Sequence, residues 1–347
     1  MASPEQRLNV TARFVSNICA GTIFQSIRIA WFAKQRITWA LCFFLAQWAL
    51  AHCAAAQNIA IVVSEDTSTY MEIADAVRQW VNEQAAPGVK LFTIPAEGLV
   101  RGEREIFKAD FYSLVVTVGA RAASIVAELR IKPPVLNTLI PRALYDRLPQ
   151  PDARGHSSAI YLDQPLSRQL ELVRLVLPGK TRLGVVSGQQ SLYYWAELER
   201  EAKAKEFSLV AEMIESSNDL GPTLQRVFSQ ADFLFALPDA EVFNRTTVSK
   251  ILLSSYHSRR PVIAFSAALV KSGALAAVFT SSEHLARHIA ELILKLQSDG
   301  NFVLPPPQYP MYWSVSVNRP LAQSLGLSIP SDQEIQSKLS QVTEEER

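Results

Sequence analysis

The chain has 347 residues, 48% of them hydrophobic, with 34 basic side chains set against 33 acidic ones. That is enough for two modest domains with ample core, and the near-zero net charge speaks against a nucleic-acid-binding face, which needs concentrated positive charge. The three cysteines, Cys19, Cys42 and Cys53, all precede Ala54, so the remaining chain has no disulfide framework, thiolate metal site or thiolate nucleophile, as suits an oxidising compartment.

At the amino terminus Arg28, Lys34 and Arg36 precede the apolar run Ile37 to Ala51, and His52-Cys53-Ala54-Ala55-Ala56 follows. Positive charge, an apolar segment and an Ala-x-Ala ending are the parts of a secretory signal, with cleavage expected after Ala56. Lipidation at Cys53 and an uncleaved spanning helix over Ile37 to Ala56 are competing readings. Each puts the chain from Gln57 onward outside the cytoplasm, in the periplasm.

Asn58 to Val63 reads as a first buried strand, with Ser64 to Ser68 as its polar turn. Ile73, Ala74, Val77, Trp80 and Val81 recur at helical spacing. Pro87-Gly88 turns the chain into a strand at Val89 to Ile94. Leu114 to Val118 is the next strand, with Gly119 directly after it, and Ala122, Ile125, Val126 and Leu129 line a helix. Val135 to Ile140 follows as a strand, Pro141 to His156 as a loop, and Ser158 to Tyr161 as a short strand where the chain crosses to a second domain.

Pro165 opens the second series, as a residue favoured at the first helical position. Leu166, Leu170, Val173 and Leu177 make the helix face. Strand Leu183 to Val186, polar turn Ser187 to Ser191, helix Leu192 to Lys205 and strand Leu209 to Ile214 come next. The helix Leu220 to Phe228 leads to Phe233 to Leu237, a continuous apolar run of the kind that is buried on both faces of a parallel sheet. Pro238 ends it, Val248, Ile251, Leu252 and Tyr256 mark a helix, and Val262 to Phe265 is another buried strand. Gly273 to Thr280 reads as one more strand and Leu285, Ile289, Leu292 and Ile293 as a late helix. Trp313 to Val317 alternates as an edge strand does, and residues 331–347 read as a flexible tail. Alternating strands and helices in two runs give an α/β protein with two doubly wound parallel-sheet lobes joined by a hinge.

Ligands of such sheets bind beyond the carboxyl ends of the strands. The candidate ligand-binding residues are therefore Ser64, Asp66, Gly119, Arg121, Ser187, Gln189, Ser191, Asp239, Asn244 and Ser266. Asp239 suits an ammonium group, Arg121 a carboxylate, and free helix N–H groups an anion. Serine, aspartate and asparagine are equally ordinary helix caps. Tyr70, Tyr193, Trp195 and Phe265 lie near these turns and suit either stacking or core. His284 and His288, four apart, read as a solvated helix face rather than a metal site. No Gly-x-Ser-x-Gly elbow, phosphate-cradling loop or dinucleotide fingerprint occurs, so neither catalysis nor a cofactor is expected.

The segments Gln164-Pro165-Leu166-Ser167-Arg168-Gln169-Leu170, Leu177-Pro178-Gly179, Leu237-Pro238-Asp239 with Asn244, Pro261 to Ser266 and Gly273-Ala274-Leu275 form an ordered series. With Val317-Asn318-Arg319-Pro320 and Leu325 to Pro330, it resembles the tryptophan/tyrosine-type ABC-transporter substrate-binding proteins. The resemblance covers Asn58 to Pro330 and implies a type I periplasmic-binding fold whose lobes close on a small molecule, such as an amino acid or related carboxylate, for an ABC permease. It implies lobes of 57–160 plus 281–299 and of 161–280 plus 300–330, with no nucleic-acid partner and a monomeric state. Where family members carry an aspartate-proline step and a glycine-asparagine-x-threonine-glycine turn, this chain reads Ile140-Pro141-Arg142 and His156-Ser157-Ser158-Ala159. That departure leaves open an alternative in which the module reports its ligand to a sensor kinase or receptor.

Overall fold

The computed structural model describes residues 57–66, 68–84, 88–100, 111–149, 156–216 and 218–345. The expectations for residues 1–56 and for Pro87 lie outside the described residues. Among the described residues, no helix is long and apolar enough to cross a membrane.

The first sheet contains β1 (Gln57–Val63), β2 (Val89–Pro95), β3 (Leu114–Val118), β4 (Val135–Ile140) and β5 (Ser157–Tyr161), ordered β2-β1-β3-β4-β5. Every pairing in it is parallel. Its helices are α1 (Ser68–Gln84), α2 (Ala96–Val100), α3 (Ala120–Leu129) and α4 (Arg142–Tyr145). Because side chains alternate along a strand, Ile59, Ile61 and Val63 face α1 through Ile73, Val77 and Val81. Ala60 and Val62 face the other way, toward Leu99 of α2 and Ala122 and Val126 of α3. Covering both faces is why these strands read as unbroken apolar runs.

The second sheet contains β6 (Arg182–Ser187), β7 (Ser208–Met213), β8 (Phe233–Phe235), β9 (Val262–Ala264), β10 (Ala276–Phe279) and β11 (Ser314–Val317), ordered β11-β10-β9-β8-β6-β7. All pairings are parallel except that of the edge strand β11, which runs antiparallel to β10. One face packs Leu183, Val185, Phe233 and Phe235 on α5 (Leu166–Val176) and α6 (Trp195–Ala204). The other packs Val186, Leu234 and Val262 on α7 (Leu220–Gln230), α8 (Val248–His257) and α9 (Ala267–Ser272). Gly184 admits α7: a Cβ there would lie 2.6 Å from Val227 Cγ1 and 2.8 Å from Ala231 Cβ.

The chain passes between the sheets at Leu162 to Pro165, at Thr280-Ser281 and along residues 299–313. Helix α10 (Ser282–Ser298) follows β10 of the second sheet but packs Leu285, Ile289 and Ile293 on the first, beside α1. The passages are tied together. Gln164 Nε2 donates to Thr280 Oγ1 at 2.8 Å, and Thr280 Oγ1 donates to the Tyr312 carbonyl at 2.9 Å. Gln308 extends the edge at β5, accepting from Tyr161 N at 3.0 Å and donating to the Ala159 carbonyl at 2.9 Å.

Several expectations need correction. Residues 331–347 are not a flexible tail over most of their length: α12 (Asp332–Glu345) buries Ile335 and Leu339 in the core of the second sheet, after the short helix α11 (Arg319–Ser324). Two side chains four apart on a polar helix suffice once a groove exists to receive them. The loop from Pro141 contains α4, and the helix expected from Leu192 begins earlier, as a 3-10 turn over Gln189–Tyr194. Tyr256 is 56% exposed rather than on the packed face of α8. His288 is 4% exposed, not solvated: its Nδ1 accepts from Met311 N at 3.3 Å, and burial holds its pKa below the usual histidine value.

Candidate ligand-binding cleft

In an open parallel sheet the crevice lies where the strand order reverses, beyond the carboxyl ends. The order reverses between β1 and β3 in the first sheet and between β6 and β8 in the second. Ser64 and Gly119 directly follow β1 and β3; Ser187 ends β6, and the Pro238-Asp239 step lies beyond β8.

At the first reversal, buried Ser64 accepts a hydrogen bond on Oγ from Ala122 N at 2.9 Å, capping α3 from another strand. Gly119 has φ +102, and a Cβ there would lie 2.4 Å from Ser64 Oγ and 2.6 Å from Tyr70 Cε1. Only glycine lets the β1 turn, α1 and α3 converge this closely. Asp66 is exposed beside them. Arg121 is half exposed and pairs with Glu97 of α2 at 3.4 Å.

At the second reversal the chain supplies its own anions. Asp239, 3% exposed, accepts on Oδ2 from Gly188 N (2.9 Å), Ser191 N (3.1 Å) and Ser191 Oγ (2.6 Å), and on Oδ1 from Glu241 N (2.8 Å). Gln189 N donates to Glu241 Oε2 at 2.9 Å. The N–H groups that open the Gln189–Tyr194 turn, which sequence reasoning offers to an anionic ligand, thus meet two carboxylates of this chain. Asn244 Oδ1 accepts from Thr246 N at 3.0 Å and Thr247 N at 3.2 Å ahead of α8. Ser266 caps α9, accepting from Leu269 N at 3.3 Å. Ser187 Oγ and Trp195 Nε1 are buried without a hydrogen-bond partner.

Between the sheets lies a cavity of about 200 Å³. Arg142, Asp146 and Arg147 line it from beyond β4; Tyr193, Tyr194 and Glu197 line it from beyond β6; Asp163, Gln164 and Tyr309 come from the passages. The Asp163 carboxylate joins both sides, accepting on Oδ2 from Arg142 N at 2.6 Å and on Oδ1 from Tyr194 OH at 2.7 Å. Burial raises its pKa, opposed by those two hydrogen bonds. The Arg142 guanidinium donates to Tyr309 OH at 3.0 Å and to Glu197 Oε2 at 3.2 Å. The Tyr193 and Tyr194 rings lie 4.1 Å apart, centroid to centroid, and Arg147 sits over Tyr193 at 6.0 Å. Burial raises the pKa of both tyrosines, so they stay neutral hydrogen-bonding groups; it likewise pushes Tyr161, which packs against Tyr309, up to about 12. The result is a small, partly aromatic pocket with charges of both signs on its rim.

The structure therefore brings Ser64 together with Gly119, and Gln189 and Ser191 together with Asp239 and Glu241, while Arg121 is drawn toward α2. Of the aromatic candidates, Tyr193 lines the cavity and Tyr70 packs at Gly119. The departure at Ile140-Pro141-Arg142 does border the cavity, through Arg142, whereas sequence reasoning missed Asp163, Tyr194, Glu197 and Tyr309. The available signal was Asp163-Gln164 directly before Pro165, polar residues at a predicted crossover.

A family model described as ABC transporter substrate binding protein matches residues 99–332. A comparison with curated proteins found no match. Among solved structures, a ligand-free, open substrate binding protein with adhesive properties from Clostridium difficile is 18% identical with a TM-score of 0.65, covering 80% of this chain and 97% of its own. A Streptococcus pneumonia ABC domain in complex with L-Trp is 17% identical with a TM-score of 0.58, at the same coverages of 80% and 97%. A conserved domain protein from Vibrio cholerae is 15% identical with a TM-score of 0.56, covering 81% and 98%. At these identities the likeness is one of fold.

Proposed function

Because the chain belongs to the ABC transporter substrate binding protein family, we propose that it captures a small solute between its two lobes and delivers it to a membrane permease. The observation that carries this reading is that one cavity is lined from beyond β4, from beyond β6 and from the passages between the sheets. Such a cavity is enclosed further when two lobes rotate about connecting segments. The lobes are residues 57–160 with 281–299, and 161–280 with 300–330, the second completed by α12. The protein acts outside the cytoplasm, as a monomer, without covalent chemistry.

The solute is an amino acid or related carboxylate. Tyrosine faces and the Arg147 guanidinium beside them suit a compact molecule bearing a carboxylate, and the Streptococcus pneumonia structure is a complex with L-Trp. Ser64, Asp66, Gly119, Ser187, Gln189, Ser191, Asp239, Asn244 and Ser266 form or brace the walls, and Arg121 lies at the outer margin.

A thermal-shift screen against amino acids, carboxylates and sugars tests the proposal. A true ligand at a hundred times its Kd stabilises the fold by about 2.7 kcal/mol, a shift of several degrees. The absence of any shift across millimolar solutes of all three classes overturns it.

A further inference from the structure

The walls of the cavity are joined by an ion pair that sequence reasoning did not anticipate. Arg142 stands just beyond β4 of the first sheet; Glu197 stands on α6 of the second. They meet at 3.2 Å with side-chain exposures of 43% and 26%, and the cavity remains open beside them. Each end is fixed by other groups. The Arg142 backbone is held by Asp163, its guanidinium by Tyr309, and its Nε lies 3.7 Å from Asp146. Asp163 also holds Tyr194, one turn before Glu197.

We propose that Arg142 and Glu197 form a clasp that keeps the two lobes at ligand-binding spacing before the solute arrives. Both are positioning residues: they set the distance between the walls and leave the cavity free. The inference rests on the two-lobe binding reading above, but its effect is present in the empty protein. The physical argument is pre-organisation. A binding-competent arrangement that is only partly populated weakens apparent affinity by that fraction, and a cross-lobe attraction raises the fraction. A half-exposed pair is weak, changing the ratio of closed to open forms roughly two- to five-fold. It is also screened by salt, because the Debye length shrinks from about 10 Å at 0.1 M to about 3 Å at 1 M.

The test measures lobe separation by pulsed electron resonance between labels at positions 128 and 203, introduced through an unnatural amino acid so that the native cysteines stay untouched. In ligand-free protein at low salt, Glu197→Gln is expected to lower the ratio of short- to long-distance populations two- to five-fold. Salt at 1 M should produce the same shift in the parent protein and little further shift in the variant. The charge-swapped Arg142→Glu/Glu197→Arg protein should recover part of the short-distance population, which a merely local structural role does not predict. Distances in Glu197→Gln identical to the parent at low salt overturn the clasp. If no solute binds while Glu197→Gln still opens the empty protein, the ligand reading fails and the clasp stands. If a solute binds with unchanged distances in Glu197→Gln, the reverse holds.

Discussion

Replacing Asp239 by alanine removes the acceptor of four hydrogen bonds and leaves Gly188 N, Ser191 N, Ser191 Oγ and Glu241 N without it, in a site only 3% exposed. Each buried donor left unpaired costs about 1–3 kcal/mol, tempered by local rearrangement and entering water. With that relief the four together come to roughly 3–5 kcal/mol, since the groups left behind are neutral donors rather than a charge. That is a large part of a total stability of roughly 5–15 kcal/mol. At a urea m-value of about 3 kcal/mol/M, the unfolding midpoint falls by roughly 1–1.7 M. Asp239→Asn keeps the shape but turns an amide toward an N–H donor in either orientation, and should fall between the two. Asn244→Ala, in the half-buried turn ahead of α8 where Asn244 Oδ1 accepts two backbone hydrogen bonds, serves as the control and should cost about 1 kcal/mol. Urea unfolding followed by far-UV circular dichroism measures all three. If Asp239→Ala lies within 1 kcal/mol of the parent, Asp239 is not the brace of this wall, and its carboxylate is free to serve a ligand instead.

Gly119→Ala forces a side chain onto φ +102 and into Ser64 Oγ at 2.4 Å, so a loss of about 1–3 kcal/mol is expected in the same assay; no loss refutes the close approach of β1, α1 and α3. Asp232 accepts from Arg182 Nη2 at 2.9 Å and Arg182 N at 3.1 Å, and the Arg182 hydrogen bond holds its carboxyl below the usual range. Its contribution is therefore full above about pH 4 and is lost as pH falls through the lowered folded value; Asp232→Asn should flatten the fall in stability below about pH 4. His288 is depressed by burial, so the folded protein loses stability as pH falls below about 6.5, where the unfolded chain takes up the proton first. Denaturation midpoints at pH 7 and pH 5 should differ less in His288→Gln than in the parent, and an equal difference would contradict the assignment.

Much of the fold is legible in the residues. Phe233, Leu234 and Phe235 form a continuous apolar run because α5 and α6 cover one face and α7 and α8 the other, and local hydrophobicity records that sandwich directly. The 3.6-residue spacing of Ile73, Val77 and Val81 records the buried stripe of α1 in the same way. Prolines and glycines then mark where these elements stop.

The wall contacts are a different matter, because they join residues far apart in the chain. Ser191 meets Asp239 across 48 positions, Arg142 meets Glu197 across 55, and Arg142 meets Tyr309 across 167. A strand end shows that a polar residue is near the cleft; it does not show whether its partner is a ligand or another part of the protein. Helix α12 illustrates the same limit for apolar groups, since the groove that receives Ile335 and Leu339 exists only once the second sheet and its helices have assembled. Local pattern thus determined the elements and their succession along the chain, through burial on one or both faces of each, while strand order within each sheet came from the tertiary structure. Tertiary packing alone decided which carboxylates brace the walls, because hydrogen-bond partners are chosen by distance in space.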